Sequence, residues 1–155
     1  VASTRARMTD ADPVAMQAAI AEARLALMAG EAPVGAALWR DGELLVAHNE
    51  VIAAADPTAH AEMQLLRLAG REWRLGDLGS ARLYVTVEPC RMCRAACFYA
   101  GLRSIVFGAG LAEMSAITGH ELAAANADDG LELRGGLCAT ECADLLRAWA
   151  ARRAV

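Results

Sequence analysis

A chain of 155 residues with 56 % apolar content is long enough to bury one core without disulfides, and no charge-free stretch reaches the roughly eighteen residues a transmembrane helix needs. Fifteen cations, all arginine, against nineteen acids give a net charge of −4, so there is no chain-wide basic footprint for a polyanion and a nucleic-acid substrate is disfavoured. No secretory signal is visible, since the N-terminal VASTRAR is polar with no apolar run behind it, and the expected compartment is the cytoplasm, with residues 1–7 read as a tail, Met8 as a candidate start and 8–155 as a single domain.

In chain order, apolar residues Val14, Met16, Ile20, Leu25 and Leu27 recur amid polar ones and predict a helix over 12–29, with Pro13 in its first turn and Gly30 at its end. VGAALWR and ELLVAHN read as strands joined through Asp41-Gly42, a dipeptide suited to a two-residue hairpin turn. A helix over 59–68, stopped by Gly70, precedes a buried strand over 81–87. A second helix over 90–99 starts just after Pro89, followed by the strand RSIVFGA, a weaker strand LELRGG and a closing amphipathic helix over 141–152. Residues 108–130 are unassigned apart from room for a short helix; a loop of this length beside a site often covers it. Helices alternating with strands after a hairpin predict a mixed sheet with helices on both faces.

Five cysteines, an odd number, are read as thiols or ligands in a reducing compartment. His60, Cys90 and Cys93 form the three-ligand set of a catalytic zinc site whose fourth position is open. The two cysteines lie three apart in the first turn of a helix, where unpaired N–H groups and the dipole favour thiolates. Glu62 is the informative extra residue, because a carboxylate beside an open metal position can move protons. A lone C-x-x-C is structural or redox about as often as catalytic, and a lone H-x-E carries almost nothing. Their conjunction, with Pro89 ahead of Cys90, is the signature of zinc deaminases, in which the Glu is not a ligand. A closed structural zinc site and a dithiol are the competing readings.

The stretches PVGAALW, HNEVIAAADPTAHAE, LYVTVEPCRMC and IVFGA, which cover most of 33–109, resemble the cytidine deaminase superfamily, in the branch of tRNA adenosine deaminases, guanine deaminases and fungal-type cytosine deaminases. The resemblance implies a three-layer α/β/α fold around a five-stranded mixed sheet, one zinc per chain on His60, Cys90 and Cys93, Glu62 as proton shuttle, Asn49 on the substrate ring, and a homodimer. Ala61, inside the H-x-E triplet, joins the substrate-side candidates. HNEV ahead of DPTAHAE looks like the guanine deaminase pattern, and GLAEMSAITGHEL replaces the Lys-Thr-Gly-Ala-like stretch of the tRNA enzymes. By the same resemblance Glu121 becomes a second proton carrier, with a solvated carboxylate as its alternative. Trp149 becomes an aromatic closing the site, set against core packing. The segment past Ala109 matches the guanine enzymes less well.

The remaining His and Cys residues draw plainer expectations. His48 and His120 are read as structural or surface imidazoles, Cys97 as a small core residue, and Cys138 and Cys142 as packing. The expected function is zinc-dependent hydrolytic deamination of a free nucleobase or similar small heterocycle (guanine, cytosine or an amino-triazine), with no membrane partner. A tRNA wobble-adenosine deaminase is the alternative, and a non-catalytic zinc module, which Glu62 argues against, the second.

Overall fold

A computed structural model describes residues 9–74, 78–122 and 129–154. The expected tail, 1–7, lies outside them. Helix α1 (Ala11–Met28) leads into the hairpin β1 (Gly35–Arg40) and β2 (Glu43–His48). Then follow α2 (Ala61–Glu72), β3 (Arg82–Val87), α3 (Arg91–Tyr99), β4 (Ser104–Ala109), α4 (Leu111–Thr118), β5 (Glu132–Arg134) and α5 (Ala139–Arg153). The five strands form one sheet in the order β2-β1-β3-β4-β5. β1 runs antiparallel to β2 and β3, whereas β3, β4 and β5 are parallel, so the sheet is mixed as expected. Among the described residues no helix is long and apolar enough to cross a membrane.

Strand alternation divides the core in two. Ala37, Tyr84 and Val106 face Met16, Ile20, Met114 and Leu146 of α1, α4 and α5. Ala36, Leu38, Leu83, Val85 and Ile105 face Ala61, Leu65 and Cys97 of α2 and α3. Residues one apart on a strand point to opposite faces, which gives the three-layer α/β/α arrangement. The hairpin turn is tight because Asp41 and Gly42 both take positive φ, 50° and 88°, which closes Arg40 directly onto Glu43. Gly35 answers a different demand. A Cβ there would lie 2.0 Å from the Ala19 carbonyl oxygen, so α1 rests on β1 backbone to backbone.

Two boundaries differ from expectation. α2 runs through Gly70 to Glu72, because burial of Leu65 and Ala69 outweighs the roughly 1 kcal/mol cost of a helical glycine. Past the C-cap Trp73, Arg74 takes the left-handed conformation at φ 53°. In the unassigned 108–130 stretch, 111–118 forms α4, closed by Gly119 at φ 70°, and 123–128 lie outside the described residues.

Asp12, fully buried in the first turn of α1, is tied by charge to the sheet. Its carboxylate accepts from Arg82 at 3.0 Å, Arg134 at 2.5 Å, the Thr9 hydroxyl at 2.9 Å and the Tyr84 hydroxyl. Burial alone would raise its pKa, but the bonds from Tyr84, Arg134 and Thr9 prevail and hold it well below the usual carboxylate range.

Candidate active site

Two helix starts meet at one end of the sheet. The turn before α2 is set by Asp56, whose side chain accepts from the Thr58 N–H at 2.8 Å and the Thr58 hydroxyl at 2.7 Å. That turn delivers His60 to the N-cap of α2 with extended backbone, φ −66° and ψ 158°. Past β3, Glu88 donates its N–H to the Ala109 carbonyl at 2.8 Å, and Pro89 then hands the chain to Cys90, the N-cap of α3. Cys93 follows in the first turn of α3.

The ligand atoms of His60, Cys90 and Cys93 all lie within 4.8 Å of one another. Nδ1 of His60 stands 3.7 Å from the Cys90 sulfur and 3.5 Å from the Cys93 sulfur. Zn–N and Zn–S bonds of ordinary length at a tetrahedral angle put nitrogen and sulfur about 3.6 Å apart, so the donors fit a zinc ion as they stand. Among the described residues no fourth His, Cys or carboxylate joins the group, the composition of a site that keeps a position open for reaction.

Charge in the cluster is arranged for metal binding. The Cys93 S–H, with help from His60 and against the cost of burial, brings Cys90 down to about 4. Cys93 is pushed up, by its bond to Cys90 and by burial, so one sulfur is a thiolate and the other gives up a proton when metal binds. Glu62 is 4 % exposed. Burial, reinforced by the Cys90 sulfur, pushes its carboxyl up to about 7 against the opposing pull of its backbone N–H, His60 and Cys93. A divalent cation beside it pulls the same way as those groups.

A cavity of about 640 Å³ opens onto this cluster. Its wall is largely apolar, built by Val34, Val51, Val87, Met114 and Leu146, with Asn49, Ala61, Glu62 and Trp149 among the residues that face it. Trp149 belongs to neither core cluster; it is half-buried in the cavity wall, with the Arg153 guanidinium 4.5 Å above its ring and His120 edge-on at 6.4 Å. Glu121 is exposed, and its neighbours His120 and Leu122 line the cavity rather than Glu121 itself. His48 bonds Glu22 at 2.6 Å, the structural role expected of it, and Cys97 and Cys142 are buried packing residues.

Glu31 was not legible as a site residue. It is buried at the cavity wall and accepts from the Asn49 side chain at 2.9 Å. The only signal in the sequence is an acid between α1 and an apolar strand, at GEAPVG. His120, read as structural or surface, is an exposed residue of the cavity rim.

Residues 9–109 match the family described as the cytidine and deoxycytidylate deaminase zinc-binding region, and the chain belongs to that family. It is therefore a deaminase-family protein with zinc as its metal, and His60, Cys90 and Cys93 are positioned to bind it. A tRNA(Ile)-lysidine synthase of Thermus thermophilus is 47 % identical over 137 residues, 88 % of this chain but 24 % of that protein, so the chain spans about a quarter of that relative. The structure of guanine deaminase from Nitrosomonas europaea overlays 94 % of this chain and 87 % of its own at TM-score 0.82 and 28 % identity. A tRNA:A34 deaminase, studied for A-to-I editing at the wobble position of transfer RNA, overlays 85 % of this chain and 98 % of its own at TM-score 0.69 and 33 % identity.

Proposed function

We propose that the chain hydrolytically deaminates a free aminated heterocycle, with guanine the first base to test and cytosine and amino-triazines next. The observation that carries this reading is the placement of Trp149: the indole, carried on α5, lines the same largely apolar cavity as His60 and Cys90, a surface suited to a planar ring. The closer overlay on guanine deaminase, which includes more of this chain, supports the same substrate class.

In the reaction one water replaces the exocyclic amine, a ring carbonyl forms and ammonia leaves. Zinc, when bound, supplies Lewis acidity that makes water nucleophilic near neutral pH. Glu62 takes the proton of the attacking water and delivers protons to a ring nitrogen and then to the departing amine, a role suited to a buried carboxyl beside the ligand set. Asn49 binds the ring edge, Ala61 packs beneath the ring, and Glu121 relays protons from the loop after α4. A buried hydrogen-bonding partner rejects rings that leave it unpaired. Five free thiols support a cytoplasmic compartment, and the exposed aromatic pair Phe98 and Tyr99 at the end of α3 supports a homodimer.

A second reading, deamination of adenosine at the tRNA wobble position, is favoured by the higher identity to the tRNA:A34 deaminase and by Arg153 at the cavity wall. Ammonia release from purified bases, nucleosides and an anticodon stem-loop separates the two. We expect turnover of at least one free base, nearly flat between low and moderate salt. A protein gripping phosphates loses affinity steeply with salt. Salt-sensitive inosine formation in the stem-loop, with every free base inert, establishes the second reading instead.

A further inference from the structure

Glu31 is a buried carboxylate that neither the zinc site nor the proton path uses. It follows α1 in the turn toward β1, and its partners are three N–H groups on one distant segment. Its Oε2 accepts from Asn49 Nδ2 at 2.9 Å and from the Ile52 N–H at 3.1 Å, while its Oε1 accepts from the Ala53 N–H at 2.7 Å. Asn49 is fastened to the same turn a second time, its own N–H donating to the Val34 carbonyl at 3.0 Å.

The chemistry of these groups fixes an orientation. With three N–H donors converging on it, Glu31 acts only as an acceptor, so the atom of Asn49 that faces it must be the amide nitrogen. The two ends of a primary amide point apart. With one Nδ2 hydrogen committed to Glu31 and the amide thereby kept from flipping, the carbonyl Oδ1 is the end of Asn49 that can accept from a group in the cavity it lines. A free asparagine can flip to offer either a donor or an acceptor, and this one is held to a single choice.

We infer that Glu31 is a positioning residue that locks Asn49 with its carbonyl toward the cavity, so that the site selects heterocycles carrying an N–H donor on the edge Asn49 meets. The inference rests on the reading of Asn49 as the ring-binding residue. It also sharpens the substrate class. Free guanine and cytosine carry ring N–H groups, whereas the ring nitrogens of adenosine in a nucleic acid are acceptors.

The test is a double-mutant cycle in the zinc-loaded full chain, read as guanine affinity by equilibrium dialysis alongside kcat and KM. Glu31→Gln should weaken guanine binding on the order of tenfold, the loss of one well-made buried hydrogen bond, with zinc content unchanged and the effect falling mainly on KM. In an Asn49→Ala background Glu31→Gln should add no further loss, because Glu31 acts through Asn49; additive losses, or no effect of Glu31→Gln alone, overturn the inference. The reciprocal pair reads the direction of the amide and decides the matter even if Glu31→Gln alone does not fold. Asn49→Asp alone sets two carboxylates face to face and should bind worst. Glu31→Gln combined with Asn49→Asp reverses the donor and acceptor between the two side chains, at the cost of the Ile52 N–H bond to the same atom, yet still offers the cavity an acceptor, so affinity should rise clearly above that of Asn49→Asp alone. A combined variant no better than Asn49→Asp alone means that the ring needed Nδ2, and overturns the inference. If every free base proves inert and the stem-loop is the substrate, the proposed substrate class fails, and the same cycle run on the stem-loop still tests the coupling of Glu31 to Asn49.

Discussion

His60 and Cys90 occupy equivalent positions on different helices: each is an N-cap residue with extended backbone, and Nδ1 of one stands 3.7 Å from the sulfur of the other. Two helix N-termini, each with unpaired N–H groups and the positive end of a dipole, are thereby aimed at one point. Such a point favours thiolate, and it resists crowding two positive dipole ends together without negative charge between them. Metal and thiolates therefore also hold α2 and α3 in place.

Elemental analysis should find one zinc per chain, and Cys93→Ser should lose most of it. Because zinc binding is also folding free energy, chelation should lower the Tm of the parent and leave that of Cys93→Ser little changed. A chain that is fully active without metal contradicts the assignment.

Glu62→Gln should keep its zinc while kcat falls by about 10²–10⁴-fold or more, since proton transfer alone contributes that much and here one group acts repeatedly. Its Tm should stay level or rise, because the substitution removes a carboxyl whose charged form is disfavoured by burial. Near-normal turnover would require another base.

Glu121→Gln should lower turnover more than Glu113→Gln, a comparison within one segment, as Glu113 lies in the first turn of α4. Equal and small effects return Glu121 to the role of a solvated carboxylate, in keeping with its exposure.

The Asp12 cluster makes a prediction about acid. Its pKa is depressed in the folded protein, so the stability it contributes is present in full above its unfolded value of 3.8 and is lost as pH falls toward the folded value. Asp12→Asn should cost about 3–5 kcal/mol at neutral pH, because it removes the buried negative charge that the Arg82 and Arg134 guanidinium groups approach. The gap between parent and variant in urea unfolding should narrow progressively below about pH 4. A gap that is constant with pH means that the Asp12 charge contributes nothing.

The metal ligands were readable because their chemistry is local. H-x-E and P-C-x-x-C each sit at the start of a helix, so spacing within a few residues already puts Cys90 beside Cys93. The continuous apolar runs Ala36 to Leu38 and Leu83 to Val85 likewise betray strands covered on both faces. What escaped depends on contacts between distant segments. Glu31 gains its role from residues 18 to 22 positions onward, and Asp12 from Arg82 and Arg134. Gly70 misled for a related reason: a glycine stops a helix when it adopts positive φ, and in α2 the packing of neighbouring residues kept it helical.

Contact without an intervening side chain makes Gly35 a lever as well as a spacer. The α1 atoms that its missing Cβ would strike, the Ala19 carbonyl oxygen, the Ala23 nitrogen and the Glu22 Cβ, belong to the helix that ends three residues before Glu31, and Gly35 itself lies four residues beyond that carboxylate. Lifting the rod by even a fraction of an ångström transmits through a turn too short to absorb it. Adding one methyl group at position 35 should therefore reach Asn49 with no direct contact, and on the proposed role of Asn49 fidelity for the base depends partly on how closely a helix can lie on a strand.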